Sequence, residues 1–240
     1  PIELTILLQN EKLASLLEVI EIADNEIALY YVNGMFKEVL TTGRYAFWKG
    51  YLDNAFTKID LSKVEITEVV PVALLENIKV RAYTRKYQVL NFEKGLLFVN
   101  GAFVKELAAG NYYFWINAIP IEVKNVDIRQ QQMEIAGQEL LTKDKATLRI
   151  NFFVRYQVID AVKALVNNKE YDKQLYVLMQ LALRALVGSY TLDELLNKKD
   201  TISKEILENM LDKINALGLS VADAGIRDVI LPGDMKEIMN

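Results

Sequence analysis

The chain contains neither cysteine nor histidine. Without thiols there are no disulfides and no thiolate chemistry, a composition that fits a reducing compartment. Without imidazole the usual general base, the commonest metal ligand and the switch that titrates near neutrality are all missing. Hydrolases, zinc enzymes and most oxidoreductases lose ground together. A basic excess is missing as well. The formal net charge is −4, and sequence-independent nucleic-acid binding needs a positive footprint. Nor is there a polybasic patch for anionic lipid. The longest apolar run, Leu175–Val187, is 13 residues and is interrupted by Gln180 and Arg184, whereas a spanning helix needs about 20. The sequence opens at Pro1 without an initiator Met and stops at Asn240 inside a starting helix. Both ends read as cut, which leaves room for an anchor or a coiled coil outside.

What is present is a repeat. Residues 22–48 align without gaps on residues 89–115, and 11 of the 27 pairs are identical, where about one or two would match by chance. The identities run from Glu26/Glu93 through Asn33-Gly34/Asn100-Gly101 to Phe47-Trp48/Phe114-Trp115, and they include both tryptophans of the chain. Each segment reads as β structure. Asn-Gly between apolar runs is a hairpin signal, because a type I′ turn needs positive φ at two successive residues. Gly43 and Gly110 mark a second turn, followed by short aromatic strands at Tyr45–Trp48 and Tyr112–Ile116. A weaker match pairs Ile59, Val64 and Ile66 with Ile121, Val126 and Ile128. That shift predicts about five extra residues around Lys49–Thr57 in the first copy. A lone hairpin is marginal in water, so the aromatics read as core.

At 240 residues the chain can bury one large or two small cores. Leu13, Leu16, Leu17 and Ile20 fall at helical spacing and predict an amphipathic helix over 11–21. Its acidic polar face favours packing on the body over lying on anionic lipid. Strand character begins again at Val126–Ile135. Thr147–Val158 alternates strictly over twelve residues, which predicts a long strand with one buried face. Phe153 is the exception on its polar face and marks a contact with another element or another chain. Asp160 is an N-cap for a short helix over Ala161–Val166. Tyr171–Val187 predicts a helix apolar almost all round, either buried or pressed between the sheet and a partner. Thr191 to Glu194 forms a capping box, and Asp200 is placed to cap a helix over Thr201–Leu217. Gly218 supplies a left-handed C-cap. Leu219–Leu231 is extended, Pro232-Gly233-Asp234 breaks it, and Asp234 starts a last helix. Strands lead and helices follow, which is the α+β class.

The stretch from Glu93 onward resembles the stomatin/prohibitin/flotillin family, also called SPFH or band 7, in its stomatin-like (slipin) branch. The residues that carry the likeness are Glu93 to Phe98, Gly110, Val126-Asp127-Ile128-Arg129, Gln138 to Thr147 with its Thr-Lys-Asp-Lys, and Tyr156-Gln157-Val158. Further on they are Leu183-Arg184, Gly188, Leu192, Leu195, Gly218 to Val221 and Ile226 to Pro232. Ala109 precedes Gly110 where family members usually carry proline. The resemblance implies an SPFH domain over 80–240. Residues 1–79 then form a β-rich extension repeating its opening unit.

It also implies a non-enzymatic scaffold subunit without cofactor or metal. Such a subunit assembles with copies of itself, is held at a membrane (here a bacterial cell membrane) through a segment outside residues 1–240, and organises a membrane patch or regulates a membrane-bound serine protease. Phe153, Arg149, Arg155 and Asp144 are the candidate contacts between subunits. The enzyme alternative rests on the carboxylate pairs Asp127 with Glu134 and Asp223 with Asp228. No P-loop, G-x-G-x-x-G, G-x-S-x-G or H-E-x-x-H accompanies them, and Gly188-Ser189 is a helix end. The remaining alternative is a soluble adaptor that binds peptides by strand addition.

Overall fold

A computed structural model describes residues 4–231, without the side chains of Gln138 and Asp200. The expected break at Pro232-Gly233-Asp234 and the helix after it lie outside the described residues. In chain order the elements begin with α1 (Leu4–Leu8), α2 (Glu11–Leu16), β1 (Leu17–Ile22), β2 (Glu26–Val32), β3 (Met35–Leu40), β4 (Gly43–Trp48) and β5 (Asn54–Asp60). Then come α3 (Val72–Leu75), α4 (Ile78–Arg81), β6 (Thr84–Val89), β7 (Glu93–Val99), β8 (Ala102–Leu107), β9 (Gly110–Trp115) and β10 (Ile121–Asp127). The last are β11 (Gln131–Leu141), β12 (Thr147–Val158), a π-helical turn at Lys163–Asn167, α5 (Tyr171–Val187), α6 (Leu192–Asn197), α7 (Lys199–Ala216) and β13 (Leu219–Ile230).

The chain divides into two compact units. One holds residues up to Gln88 together with Asn111–Ile121; the other holds Val89–Gly110 and everything from Glu122. In the first unit β2 is the centre of an antiparallel sheet ordered β3-β2-β5, and β1 pairs with β4. Ile27, Ala28, Leu29 and Tyr30 of β2 are all buried. Odd and even positions face two different apolar clusters, which is why this strand reads as a continuous apolar run instead of alternating. Ile27 and Leu29 pack with Ile59, Leu75, Val80 and Trp115. Ala28 and Tyr30 pack with Ile20, Ile22 and Leu40. The Tyr30 hydroxyl donates to Asn54 Oδ1 at 2.8 Å, and its ring lies 4.6 Å from Phe47 and 5.1 Å from Phe56, centroid to centroid.

Residues 17–22 correct the sequence reading. Leu17 to Ile22 is a strand, and the helix predicted over 11–21 ends at Leu16. The apolar spacing fits a helix, yet Val19, Ile20 and Ile22 are β-branched and the partner strand β4 supplies the ladder. The loop after β4 is a second correction. β5 begins six residues after Trp48, and β10 begins six residues after Trp115. Leu61 N donates to Asn25 O at 2.8 Å, and Ile128 N donates to Phe92 O at 3.0 Å. The pairing is therefore Asn54–Asp60 with Ile121–Asp127 at the same 67-residue spacing as Glu26 with Glu93, and the expected five-residue insertion is absent. Both Asn-Gly turns adopt the left-handed backbone that the sequence predicts, with φ of 50° and 76° at Asn33-Gly34 and 52° and 77° at Asn100-Gly101.

In the second unit β12 is the centre of the sheet β11-β12-β13. Leu148, Ile150, Phe152, Val154, Tyr156 and Val158 are buried at every second position, as the alternation predicts. They share one core with Leu175, Met179, Leu183 and Val187 of α5 and with Ile202, Ile206 and Ile214 of α7. The remaining face of α5 exposes Val177 and Leu181. Asp160 caps the π-helical turn by accepting from Lys163 N at 2.9 Å. The capping box at Thr191 and Glu194 forms in full. α7 starts at Lys199 with Lys198 at its N-cap, so Asp200 lies inside the helix and the expected cap is displaced by two residues. Gly218 has φ +77°, and a Cβ there would stand 2.4 Å from Asp160 O, so the close return of the chain to β13 requires glycine.

Leu183 is fully buried in this core. Leu183→Ala is expected to cost about 2–5 kcal/mol, because the surrounding helix and sheet relax only partly around the lost methyls. Chemical denaturation with an unchanged m-value checks it.

Candidate functional site

The alternation that buries one face of β12 presents Thr147, Arg149, Asn151, Phe153, Arg155 and Gln157 on the other. Register then brings charges from three strands onto that face. Arg149 stands opposite Glu139 of β11 and Ile230 of β13; Asn151 stands opposite Asp228; Phe153 is flanked by Glu134 and Gly225; Arg155 is flanked by Gln132 and Asp223. Arg227 Nη1 lies 3.0 Å from Glu134 Oε1 and its Nε lies 3.6 Å from Asp228 Oδ2. Arg155 Nη1 lies 3.7 Å from Asp223 Oδ2, and its Nε donates to Gln132 Oε1 at 3.3 Å. Asn151 ties the ends of the strip together. Its Nδ2 donates to Asp228 at 3.3 Å, and its Oδ1 accepts from Gly137 N at 2.8 Å in the bulge of β11. These pairs are half exposed, so each contributes little to stability. Their alternating sign gives the face a fixed electrostatic pattern.

Phe153 interrupts that pattern for a reason the register supplies. A Cβ on Gly225 would stand 2.8 Å from Phe153 Cε1, so the ring lies across the missing side chain of the neighbouring strand. Such an aromatic cover protects a glycine that would otherwise leave the sheet unpacked. The Arg155 guanidinium sits 5.5 Å from the ring centroid, within cation–π range. Phe153 therefore contacts another element, one of the two readings of its odd position. Beside it runs an open groove of about 540 Å³ bordered by Ser203, Lys204, Leu207, Asp223 and Ile226. Arg149 borders a smaller one of about 210 Å³ with Glu139 and Leu231.

Asp144 is elsewhere, in the turn between β11 and β12. Thr142 Oγ1 donates to its carboxylate. The Leu192 N–H at the start of α6 points at the same group, 3.2 Å from Oδ1 and 3.4 Å from Oδ2. Thr142 itself is buried and accepts from Ala146 N at 3.0 Å, while Lys143 N donates to Tyr190 O at 2.8 Å. The Thr-Lys-Asp-Lys run thus ties the hairpin end to a helix N-terminus, where a carboxylate complements the exposed N–H groups. These bonds, above all the Thr142 hydroxyl, hold the Asp144 carboxyl below its usual range.

The structure brings Arg149, Phe153 and Arg155 onto one face and leaves Asp144 apart from them. The carboxylates of the enzyme alternative are each engaged by a cation or an amide. Asp127 binds Arg129, whose Nε is 3.0 Å away, and that guanidinium lowers its pKa. Glu134 binds Arg227, Asp223 binds Arg155 and Asp228 binds Asn151. Among the described residues no group of three or more acidic, histidine or cysteine side chains is placed to hold a metal ion. No described helix is long and apolar enough to cross a membrane. Gly225 and Arg227 are the residues that sequence reasoning missed. Their roles come from strand register, which no local pattern encodes.

The profile of the SPFH domain / Band 7 family matches residues 20–240. This chain belongs to that family. Its similarity extends to stomatins. It is 31% identical over 153 residues to the stomatin homologue of Pyrococcus horikoshii, covering 63% of this chain and 56% of that protein. It is 26% identical over 181 residues to stomatin-1 of Caenorhabditis elegans, covering 75% and 52%. It is 28% identical over 152 residues to stomatin-like protein 3 of Mus musculus, covering 63% and 53%. The matched region spans about half the length of these three relatives. The observed α+β fold, with antiparallel sheets leading and helices in the C-terminal part, is the one the SPFH resemblance implies.

The Asp144 tie predicts a pH signature. A depressed carboxyl pKa contributes stability that is present above the unfolded value, about 3.9, and is lost as pH falls through the folded value. Asp144→Asn is expected to lower the thermal midpoint at pH 7 and to converge with the wild type in acid. Melting curves across pH 2.5–7 check it.

Proposed function

We propose that this SPFH protein is a non-enzymatic, membrane-associated scaffold subunit that assembles with copies of itself. Membership of the family across residues 20–240 carries the reading. The outer face of β11-β12-β13 supports it, because positive and negative side chains alternate across three strands there. Such a strip sets register between identical neighbours more than it adds affinity. Arg149, Phe153 and Arg155 are the contacts proposed on that face, with Asp144 positioning the hairpin turn at its edge. The exposed Val177 and Leu181 of α5 offer an apolar contact on another side of the unit. Organisation of a membrane patch, or control of a membrane-bound serine protease, is the task proposed for the assembly, in a bacterial cell membrane.

A second reading has its own observation. β8 forms an edge of the sheet β10-β7-β8, and five of its six residues are exposed, Phe103 and Val104 among them. An uncovered edge strand offers backbone groups to an added strand, which favours a soluble adaptor that captures extended peptides.

Two measurements on the full-length protein separate these readings. The scaffold sediments with membranes and elutes as a large particle, whereas the adaptor elutes as a small soluble monomer. Phe153→Arg is expected to shift the particle toward monomer while the far-UV circular dichroism of the domain is retained. Unchanged particle size removes this face from the assembly.

A further inference from the structure

Trp48 ends β4 and Trp115 ends β9, and the two residues share position, neighbours and strand length 67 residues apart. Their surroundings differ. Trp115 is fully buried and Trp48 is 58% exposed. The cover on Trp115 has three parts. Ahead of α3, Val64 O accepts from Trp115 N at 3.3 Å, Glu65 bridges Phe114, and the Glu68 carboxylate accepts the indole N–H at 3.3 Å. From the helices come Leu75 and Val80. From the sheet β3-β2-β5 come Ile27, Leu29 and Ile59, with Tyr31 and Phe36 against them. A face built from two short helices and an aromatic strand is thus closed by the flat side of the sheet that precedes it in the chain.

The same face recurs one spacing earlier. Leu7, Leu8, Asn10 and Lys12 stand where Leu74, Leu75, Asn77 and Lys79 stand. Asn10 caps α2 by accepting from Lys12 N at 3.1 Å, and Asn77 caps α4 by accepting from Lys79 N at 3.0 Å. β1 then pairs with β4 as β6 pairs with β9. Lys49 N donates to Leu16 O at 2.8 Å, which sets the end of α2 against the end of β4. Around that junction Leu16, Trp48, Tyr51 and Leu52 are exposed at 52%, 58%, 84% and 42%. The helices and the aromatic strand are in place, and among the described residues this side of them is open to solvent.

We propose that the face formed by α1, α2 and β4 docks the sheet of a further unit of this kind, carried in the same polypeptide ahead of α1. Its chemistry follows from the filled example. The occupant presents an isoleucine, leucine and tyrosine face like that of Ile27, Leu29 and Tyr31, followed by an extended segment that offers a carbonyl and a carboxylate to Trp48. A second copy of residues 1–240 does not supply it. In such a copy the first sheet is already covered by Trp115, and the equivalent Leu96, Phe98 and Val126 of the second sheet are buried at 0%, 9% and 5% in the core with β12. The register of α1 and α2 against α3 and α4, and not the position of Pro1, places the occupant in cis. Units that cannot bury their apolar face alone close it against a neighbour in the chain, which is the physics of stacked repeats.

The test uses Trp48 as its own reporter. Fluorescence and iodide quenching are compared between the wild type and Trp48→Phe, in residues 1–240 and in the full-length protein, first without lipid and then with phosphatidylcholine vesicles. The difference between wild type and variant isolates Trp48. In residues 1–240 that component is expected to be red-shifted and freely quenched. In the full-length protein without lipid it is expected to be blue-shifted and quenched several-fold less. Trp48→Asp is expected to leave the melting of residues 1–240 unchanged and to lower that of the full-length protein. Trp48 equally quenchable in both proteins overturns the proposal. Shielding that appears only on addition of vesicles also overturns it and makes the face a lipid contact.

Discussion

The second unit is organised by one constraint, the burial of every second side chain of β12 along its whole length. Twelve residues with one apolar face demand a layer to cover them. The stripe Leu175, Met179, Leu183 and Val187 of α5 supplies it, together with Ile202, Ile206 and Ile214 of α7. A buried aliphatic or aromatic side chain contributes about 1.5–3 kcal/mol relative to exposure, so this layer outweighs any ion pair on the opposite face. Once the inner face is fixed, the outer face is fixed too. Pleating leaves Arg149, Phe153 and Arg155 no other direction to point.

The joints of that unit are made by groups that satisfy backbone at tight places. Gly218 lets the chain turn back beside Asp160. Asp144 and Thr142 hold the hairpin end to the start of α6. Gly225 leaves a gap that Phe153 fills. Together they fix the backbone around a surface that carries a pattern of charge and an aromatic.

The first unit follows a different logic. β2 is buried on both faces, so its sheet belongs to two apolar clusters at once. One cluster closes with its own strands β1 and β3. The other closes with α3, α4 and Trp115, elements that come later in the chain. Both clusters thus close within the first unit, one of them only through residues far along the chain.

Local pattern made much of this legible in advance. The alternation of Thr147–Val158, the helix Tyr171–Val187, the capping box at Thr191, the glycine at 218 and the two Asn-Gly turns all express forces acting within a few residues. The strand Leu17–Ile22 was not legible. Its apolar spacing suits a helix, and the ladder that makes it a strand comes from β4, whose paired residues are some 20 to 30 positions further along. Phe153 reads only as an anomaly until register sets it over Gly225. Trp48 and Trp115 mark the boundary most plainly. The sequence places the same aromatic at the end of the same strand twice, because strand propensity and turn chemistry are local. Within the described residues the tertiary structure buries one and exposes the other, because burial depends on which sheet packs against it.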